Sequence, residues 1–319
     1  MAKVLVAGGA GFIGSHLCKR LLSNDHEVIC VDNLLTGNEE NIKELESNPA
    51  FQFINHDITK PLPDKITAEY VFHLASPASP NFHSRISYHA LPMETMMANT
   101  KGTQELLKFT EKNNARFLFA STSEVYGDPE VHPQIESYNG NVSTTGPRSI
   151  YDEAKRFGET LTAYYWRKGV NARIVRIFNT YGPNMQIEDK RMIIEFIVKA
   201  LKNEPIVVFG DGSQTRSLCF VNDLVDGLIP LLFHDNTNQT IVNLGATEEH
   251  TVLEYAQIIK DLTHSISEIT VTHELPENDP MKRRPDTTKA KQLLEWEAKT
   301  PLKEGLERTV EYFKIKLSV

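Results

Sequence analysis

The sequence predicts an α/β protein: a Rossmann-type, doubly wound parallel sheet joined to a smaller mixed α/β lobe. Three observations carry that prediction. Short apolar runs alternate with stretches of helical periodicity through the first half, a glycine-rich turn follows the first run, and an acidic residue closes the second. Residues 4–7 (Val-Leu-Val-Ala) read as a strand, and 12–22 place Phe12, Ile13, Leu17 and Leu21 at helical spacing. Residues 27–31 form a second strand that ends at Asp32, and 51–54, 70–74, 116–120 and 172–177 give four more. Helical patterns cover 92–112 and 150–168. Strands that are apolar throughout and separated by helices argue for a parallel sheet covered on both faces.

After Thr180 the rhythm loosens. Helical stretches at 192–202, 222–232, 252–262 and 302–315 mix with short strands at 207–208 and 241–243. Pro183, Pro205, Pro276, Pro280 and Pro285 punctuate the loops. Two lobes are expected, 1–179 and 180–319. No linker separates them, so the chain is expected to cross between them more than once.

Composition excludes several classes. A chain of 319 residues with 40% apolar content can bury a core without disulfide staples. The net charge of −8 lacks the basic balance of a nucleic-acid binder. No apolar run approaches a membrane span, and 4–7 is too short for the core of a signal peptide. Cys18, Cys30 and Cys219 are widely spaced, with no CxxC and no metal-ligand pattern. No metal and a reducing, cytoplasmic compartment are expected.

Gly8-Gly9-Ala10-Gly11-Phe12-Ile13-Gly14 lies between the first strand and the first helix. Glycines there permit a tight turn and let a pyrophosphate approach the backbone at a helix N-terminus. Asp32, at the end of the second strand, suits both ribose hydroxyls of NAD and would repel a 2′-phosphate. NAD is therefore the expected cofactor. Asp57, after the third strand, is a candidate for the adenine amino group.

Tyr151 and Lys155 stand at i, i+4 near the start of a helix, on one face. A neighbouring ammonium is expected to lower the phenol pKa, so that Tyr151 takes a proton from a substrate hydroxyl as hydride leaves. Ser121-Thr122-Ser123-Glu124 ends the fifth strand, where ligands of open α/β sheets bind. Thr122 is a candidate hydrogen-bond partner of a sugar hydroxyl, and Glu124 a candidate acid or base.

With these motifs the chain resembles the extended short-chain dehydrogenases/reductases, in their nucleotide-sugar branch of epimerases, dehydratases and decarboxylases. Further carriers are His73-Leu74-Ala75-Ser76-Pro77, Asn99-x-x-Gly102-Thr103, Phe178-Asn179-Thr180-Tyr181-Gly182-Pro183, Gly210–Arg216 and Asp279-Pro280-x-x-Arg283-Arg284-Pro285-Asp286. Within that branch it is most similar to the decarboxylases of UDP-glucuronate. The resemblance implies that Thr122, Tyr151 and Lys155 serve hydride transfer and that Glu124 works near C5 of the sugar. It implies NAD contacts from Gly8, Gly11, Phe12, Ile13, Gly14, Asp32, Asn33, Asp57, Ile58, Leu74, Ala75, Ser76 and Asn99. It places Ser123 at the substrate, Asn179 and Arg216 at the UDP pyrophosphate, and Arg283 at the sugar or phosphate. A homodimer through 92–112 and 150–168 is implied as well.

The chain also departs from the decarboxylase pattern. The loop 81–92 is several residues longer, Thr144-Thr145 replace a Pro-Ile pair, Asn184 stands for an Arg and Lys190 for a Gly. All are expected near the sugar, where losing an Arg would weaken the hold on a carboxylate. The alternative is therefore a UDP-N-acetylhexosamine enzyme in a 6-deoxy-sugar route such as that to pseudaminic acid. A non-catalytic NAD-binding scaffold is the remaining reading, disfavoured by the intact Tyr151 and Lys155.

Overall fold

The computed structural model describes residues 1–272 and 280–319. Pro276 and Asp279, singled out above, lie outside the described residues. The first half runs β1 (Lys3–Ala7), α1 (Phe12–Ser23), β2 (Glu27–Asp32), β3 (Phe51–Asn55), β4 (Tyr70–His73), α2 (Pro92–Met97), α3 (Thr103–Asn113), β5 (Arg116–Thr122), α4 (Ser149–Arg167) and β6 (Asn171–Ile177). The second half begins with β7 (Thr180–Tyr181), α5 (Met192–Leu201), β8 (Ile206–Val208), β9 (Thr215–Ser217), β10 (Cys219–Phe220) and α6 (Val221–Phe233). It continues with β11 (Ile241–Leu244), β12 (Glu249–Thr251), α7 (Val252–Thr263), β13 (Ile269–Val271), β14 (Lys282–Arg283), α8 (Thr288–Leu294) and α9 (Leu302–Leu317).

Seven strands pair in the order β11-β6-β5-β4-β1-β2-β3, every pairing parallel. Alternation along the strands loads both faces. Val4, Val6, Leu118 and Ala120 pack with Leu17 and Leu21 of α1 and Leu224 and Leu228 of α6. Leu5, Ala7, Phe117 and Phe119 pack with Leu106 and Leu107 of α3 and Tyr165 of α4. This is the doubly wound sheet expected from the apolar runs. The strand order reverses between β1 and β4, and the crevice at their carboxyl ends is where such folds bind ligands.

Two elements differ from expectation. The pattern at 92–112 is two helices joined by a π turn over Ala98–Gly102. The turn brings Asn99 inward, where its amide donates to Ser76 Oγ and to Thr95 O, each at 2.8 Å. Gly102 permits the approach, since a Cβ there would lie 2.7 Å from Ile58 Cδ1. The strand at 241–243, expected in the second lobe, is β11 and extends the large sheet beside β6. The chain thus crosses back, with α6 packing on α1.

The second lobe has its own core, built from Phe196 and Ile197 of α5, Tyr255 and Ile259 of α7, and Val310 and Phe313 of α9. Three short strands pair in the order β12-β9-β14, and Arg283 of β14 reaches Glu124, just past the end of β5. No helix among the described residues is long and apolar enough to cross a membrane.

Candidate active site

Two cavities share Gly8, Gly11, Thr36, Leu74 and Ser76 and form one groove over the carboxyl ends of β1, β2, β4 and β5. The first, of 320 Å³, is lined by Asp32, Asn33, Asp57, Ile58, Ala75 and Met97 among others. Gly8 has a φ of 82°, and a Cβ there would lie 2.6 Å from Ala75 N. A Cβ on Gly14 would lie 2.0 Å from Gly8 O. Only glycine lets the turn and the start of α1 close this tightly, which leaves Gly11, Phe12 and Ile13 at the groove wall. Asp32 is 8% exposed. Its two oxygens each accept one backbone N–H, from Ala10 at 3.1 Å and Leu34 at 2.9 Å. A carboxylate has about four acceptor sites, so capacity remains for ribose hydroxyls. These residues fit a dinucleotide.

The second cavity, of 240 Å³, holds Thr122, Ser123, Glu124, Tyr151, Lys155 and Asn179. Tyr151 and Lys155 stand on the first turns of α4, as their spacing predicts. Lys155 is 3% exposed and donates to Ala120 O at 2.7 Å. Burial lowers its pKa to about 7, with Glu159 opposing. The Tyr151 ring stacks on Tyr88 at 5.2 Å. Burial pushes the Tyr151 phenol up; Arg191 and a hydrogen bond with Thr122 pull it down, and Glu124 and Asp152 add to the rise. The lowering expected from Lys155 is not what supports the phenolate here: that support comes from Arg191 and Thr122, and burial outweighs it.

Glu124 sits between two guanidiniums, Arg148 on one carboxylate oxygen and Arg283 on the other. Burial alone would raise its carboxyl pKa, but Arg148 and Arg283 overcome that and hold it far below the usual range. Arg283 also donates to Gly127 O at 2.9 Å, so its orientation is held from two sides. Asp152, beside Tyr151, is pushed up to about 8 by burial and by Glu124, against Arg148 and Arg283.

Some sequence-derived positions fall elsewhere. Asn99 lies behind the groove, fully buried, and supports Ser76 rather than lining either cavity. Arg216 lies in β9 and donates to Thr215 O at 2.9 Å, outside both cavities. Asn184, expected to replace a sugar-binding Arg, lies outside them too and donates to Ser15 Oγ of α1 at 3.1 Å. Thr144 and Thr145 are exposed. The longer loop does reach the site, through Ile86 and Tyr88. Sequence reasoning missed Tyr88, Arg148 and Arg191. Only Arg148 left a signal, three residues before Tyr151 and so on the same side of the helix start.

A dinucleotide groove that runs into a Tyr-Lys-Thr site defines a dehydrogenase-type enzyme that handles a hydroxyl and a hydride. Residues 4–245 match the NAD dependent epimerase/dehydratase family, and the chain belongs to that family. NAD is accordingly its cofactor. The chain is 48% identical to UDP-glucuronic acid decarboxylase 1 of Danio rerio, over 98% of this chain and 72% of that protein. It is 46% identical to UDP-glucuronic acid decarboxylase 5 of Arabidopsis thaliana, over 99% of this chain and 91% of that one. Among solved structures it is similar to the UDP-glucuronic acid 4-epimerase from Bacillus cereus in complex with UDP-glucuronic acid and NAD. The TM-score is 0.85 at 28% identity, covering 98% of this chain and 99% of that chain.

Proposed function

We propose that this enzyme converts UDP-glucuronate to UDP-xylose and carbon dioxide. The observation that carries the reading is Glu124 clamped by Arg148 and Arg283 in the cavity that holds Tyr151. The relatives at 46–48% identity carry the same activity in their names, and the objection raised by Asn184 falls with its position against Ser15.

Bound NAD would supply a hydride acceptor for C4 of the sugar and return the hydride at the end. Tyr151 takes the C4 hydroxyl proton, with Thr122 holding the phenol oxygen by a hydrogen bond. A carboxylate on C5 is β to a C4 ketone and leaves as carbon dioxide without a metal. Arg148, which lines the cavity, supplies a cation to hold a carboxylate, Arg283 backs Glu124 from outside both cavity linings, and Glu124 keeps Arg148 from binding the carboxylate so tightly that it stays. The proton returned to C5 comes from solvent water, which the ionised Glu124 carboxylate orients as a hydrogen-bond acceptor. Asn179 faces the same cavity and serves the pyrophosphate, and Arg216 is proposed to do so from β9.

The sheet with α6 and β11 carries the cofactor, and the remainder of 180–319 carries the nucleotide sugar. The protein is a homodimer through α2, α3 and α4; Met93, Phe157 and Tyr164 are 58%, 49% and 50% exposed there. Three buried free thiols support a cytoplasmic setting. Incubation with UDP-glucuronate tests the reading: the product expected is a UDP-pentose lighter by carbon dioxide. Unchanged UDP-glucuronate would reject it.

A further inference from the structure

The loop that makes this chain longer than its family pattern grips the second lobe. Three consecutive backbone carbonyls there are taken by side chains of the loop and of Ser79 just before it. Ser84 Oγ donates to Glu188 O at 2.5 Å, Ser79 Oγ to Asp189 O at 2.7 Å, and Asn81 Nδ2 to Lys190 O at 2.8 Å. Ser79 and Ser84 are each 2% exposed. Lys190 has a φ of 54°, a backbone state that lysine seldom adopts unaided. The gripped turn ends at Asp189 and Arg191, and both line the cavity of Tyr151. Arg191 Nε lies 3.1 Å from Asp189 Oδ1.

We propose that Asn81 and Ser84 are positioning residues, which hold the 188–190 backbone so that the Arg191 guanidinium faces Tyr151. The proposal rests on the assignment of Tyr151 as the base. Tyr151 is faced by Glu124 from the end of β5, by Arg148, Asp152 and Lys155 from the start of α4, by Tyr88 from the loop and by Arg191 from the second lobe. The second lobe delivers Arg191, which favours the phenolate, together with Asp189, the carboxylate that lies against Arg191 and lines the same cavity. The loop thereby couples the meeting of the lobes to the readiness of the base.

The test uses the NAD-loaded protein, Asn81→Asp, the double variant Asn81→Ala/Ser84→Ala, Arg191→Gln and the conservative Ser84→Thr. Tyr151 ionisation is read as phenolate absorbance, each protein against its own Tyr151→Phe counterpart. The pH profile of kcat is read with UDP-glucuronate. In the double variant, in Asn81→Asp and in Arg191→Gln, the Tyr151 midpoint is expected to move to higher pH. In the double variant kcat at neutral pH falls about fivefold or more and recovers as pH rises. Ser84→Thr keeps the wild-type profile, and bound NAD is retained in all. An unmoved midpoint in the double variant, or a loss equal at every pH, would overturn the proposal. If the parent protein releases no carbon dioxide from UDP-glucuronate, the functional reading fails instead. The phenolate titration needs no sugar and still decides the role of the loop.

Discussion

In the proposed reaction Tyr151 is the base, and its surroundings make ionisation hard: it is 7% exposed, with Glu124 and Asp152 nearby. A group so placed acts only while a cation and a hydrogen bond support the phenolate, which the site provides through Arg191 and Thr122. Tyr151→Phe removes the proton-carrying oxygen and leaves the ring on Tyr88. Turnover should fall by about 10²–10⁴-fold with bound NAD retained, as checked by steady-state rates and by the nucleotide released on denaturation. Asp152 gives a second prediction. The unfolded chain releases its proton near the ordinary 3.8, the folded one only near 8. Between about pH 4 and 8 the folded state therefore binds more protons, and stability falls as pH rises through that window. Asp152→Asn should remove that part of the slope, melting a few degrees above the parent at pH 8 and level with it at pH 4. Parallel melting curves across the window would contradict it.

At the scale of elements, the glycine turn is the best constrained part. A methyl on Gly14 would sit 2.0 Å from Gly8 O, against backbone that cannot swing aside. Gly14→Ala should cost about 1–3 kcal/mol and much of the NAD affinity, read by melting and by nucleotide content. The order of strands and helices in the first half was legible in the sequence because a buried strand and an amphipathic helix each leave a local pattern. The π turn at Ala98–Gly102 leaves none, since one extra residue barely disturbs the helical period. β11 read as a strand but not as part of the large sheet, because its partner β6 lies nearly seventy residues away in sequence. The site was legible where its residues share a motif, as Tyr151 and Lys155 do. Arg148, Tyr88 and Arg191 meet from three separate segments, and no spacing announces such a meeting. The same gap placed Asn184 beside the sugar, when its amide is taken by Ser15.

At the scale of the whole molecule, the active cavity draws residues both from the ends of the large sheet and from the second half of the chain, Asn179 to Arg191. Phe157 and Tyr164 stand seven residues apart on one side of α4, both about half exposed. These two rings belong to the dimer contact proposed above. The double variant Phe157→Glu/Tyr164→Glu should sediment as a monomer where the parent sediments as a dimer; equal sedimentation would remove these helices from the interface.

Decarboxylation and epimerisation of UDP-glucuronate would both begin by oxidation at C4, and solved structures of similar fold include an epimerase of that sugar. The fate of C6 separates them. UDP-glucuronate carrying ¹³C at C6 is incubated with the enzyme in D₂O. The account predicts one labelled carbon dioxide per sugar consumed, a UDP-pentose with a single deuterium at C5, and no net change in the bound cofactor. A product that keeps the label and the mass of UDP-glucuronate would contradict it.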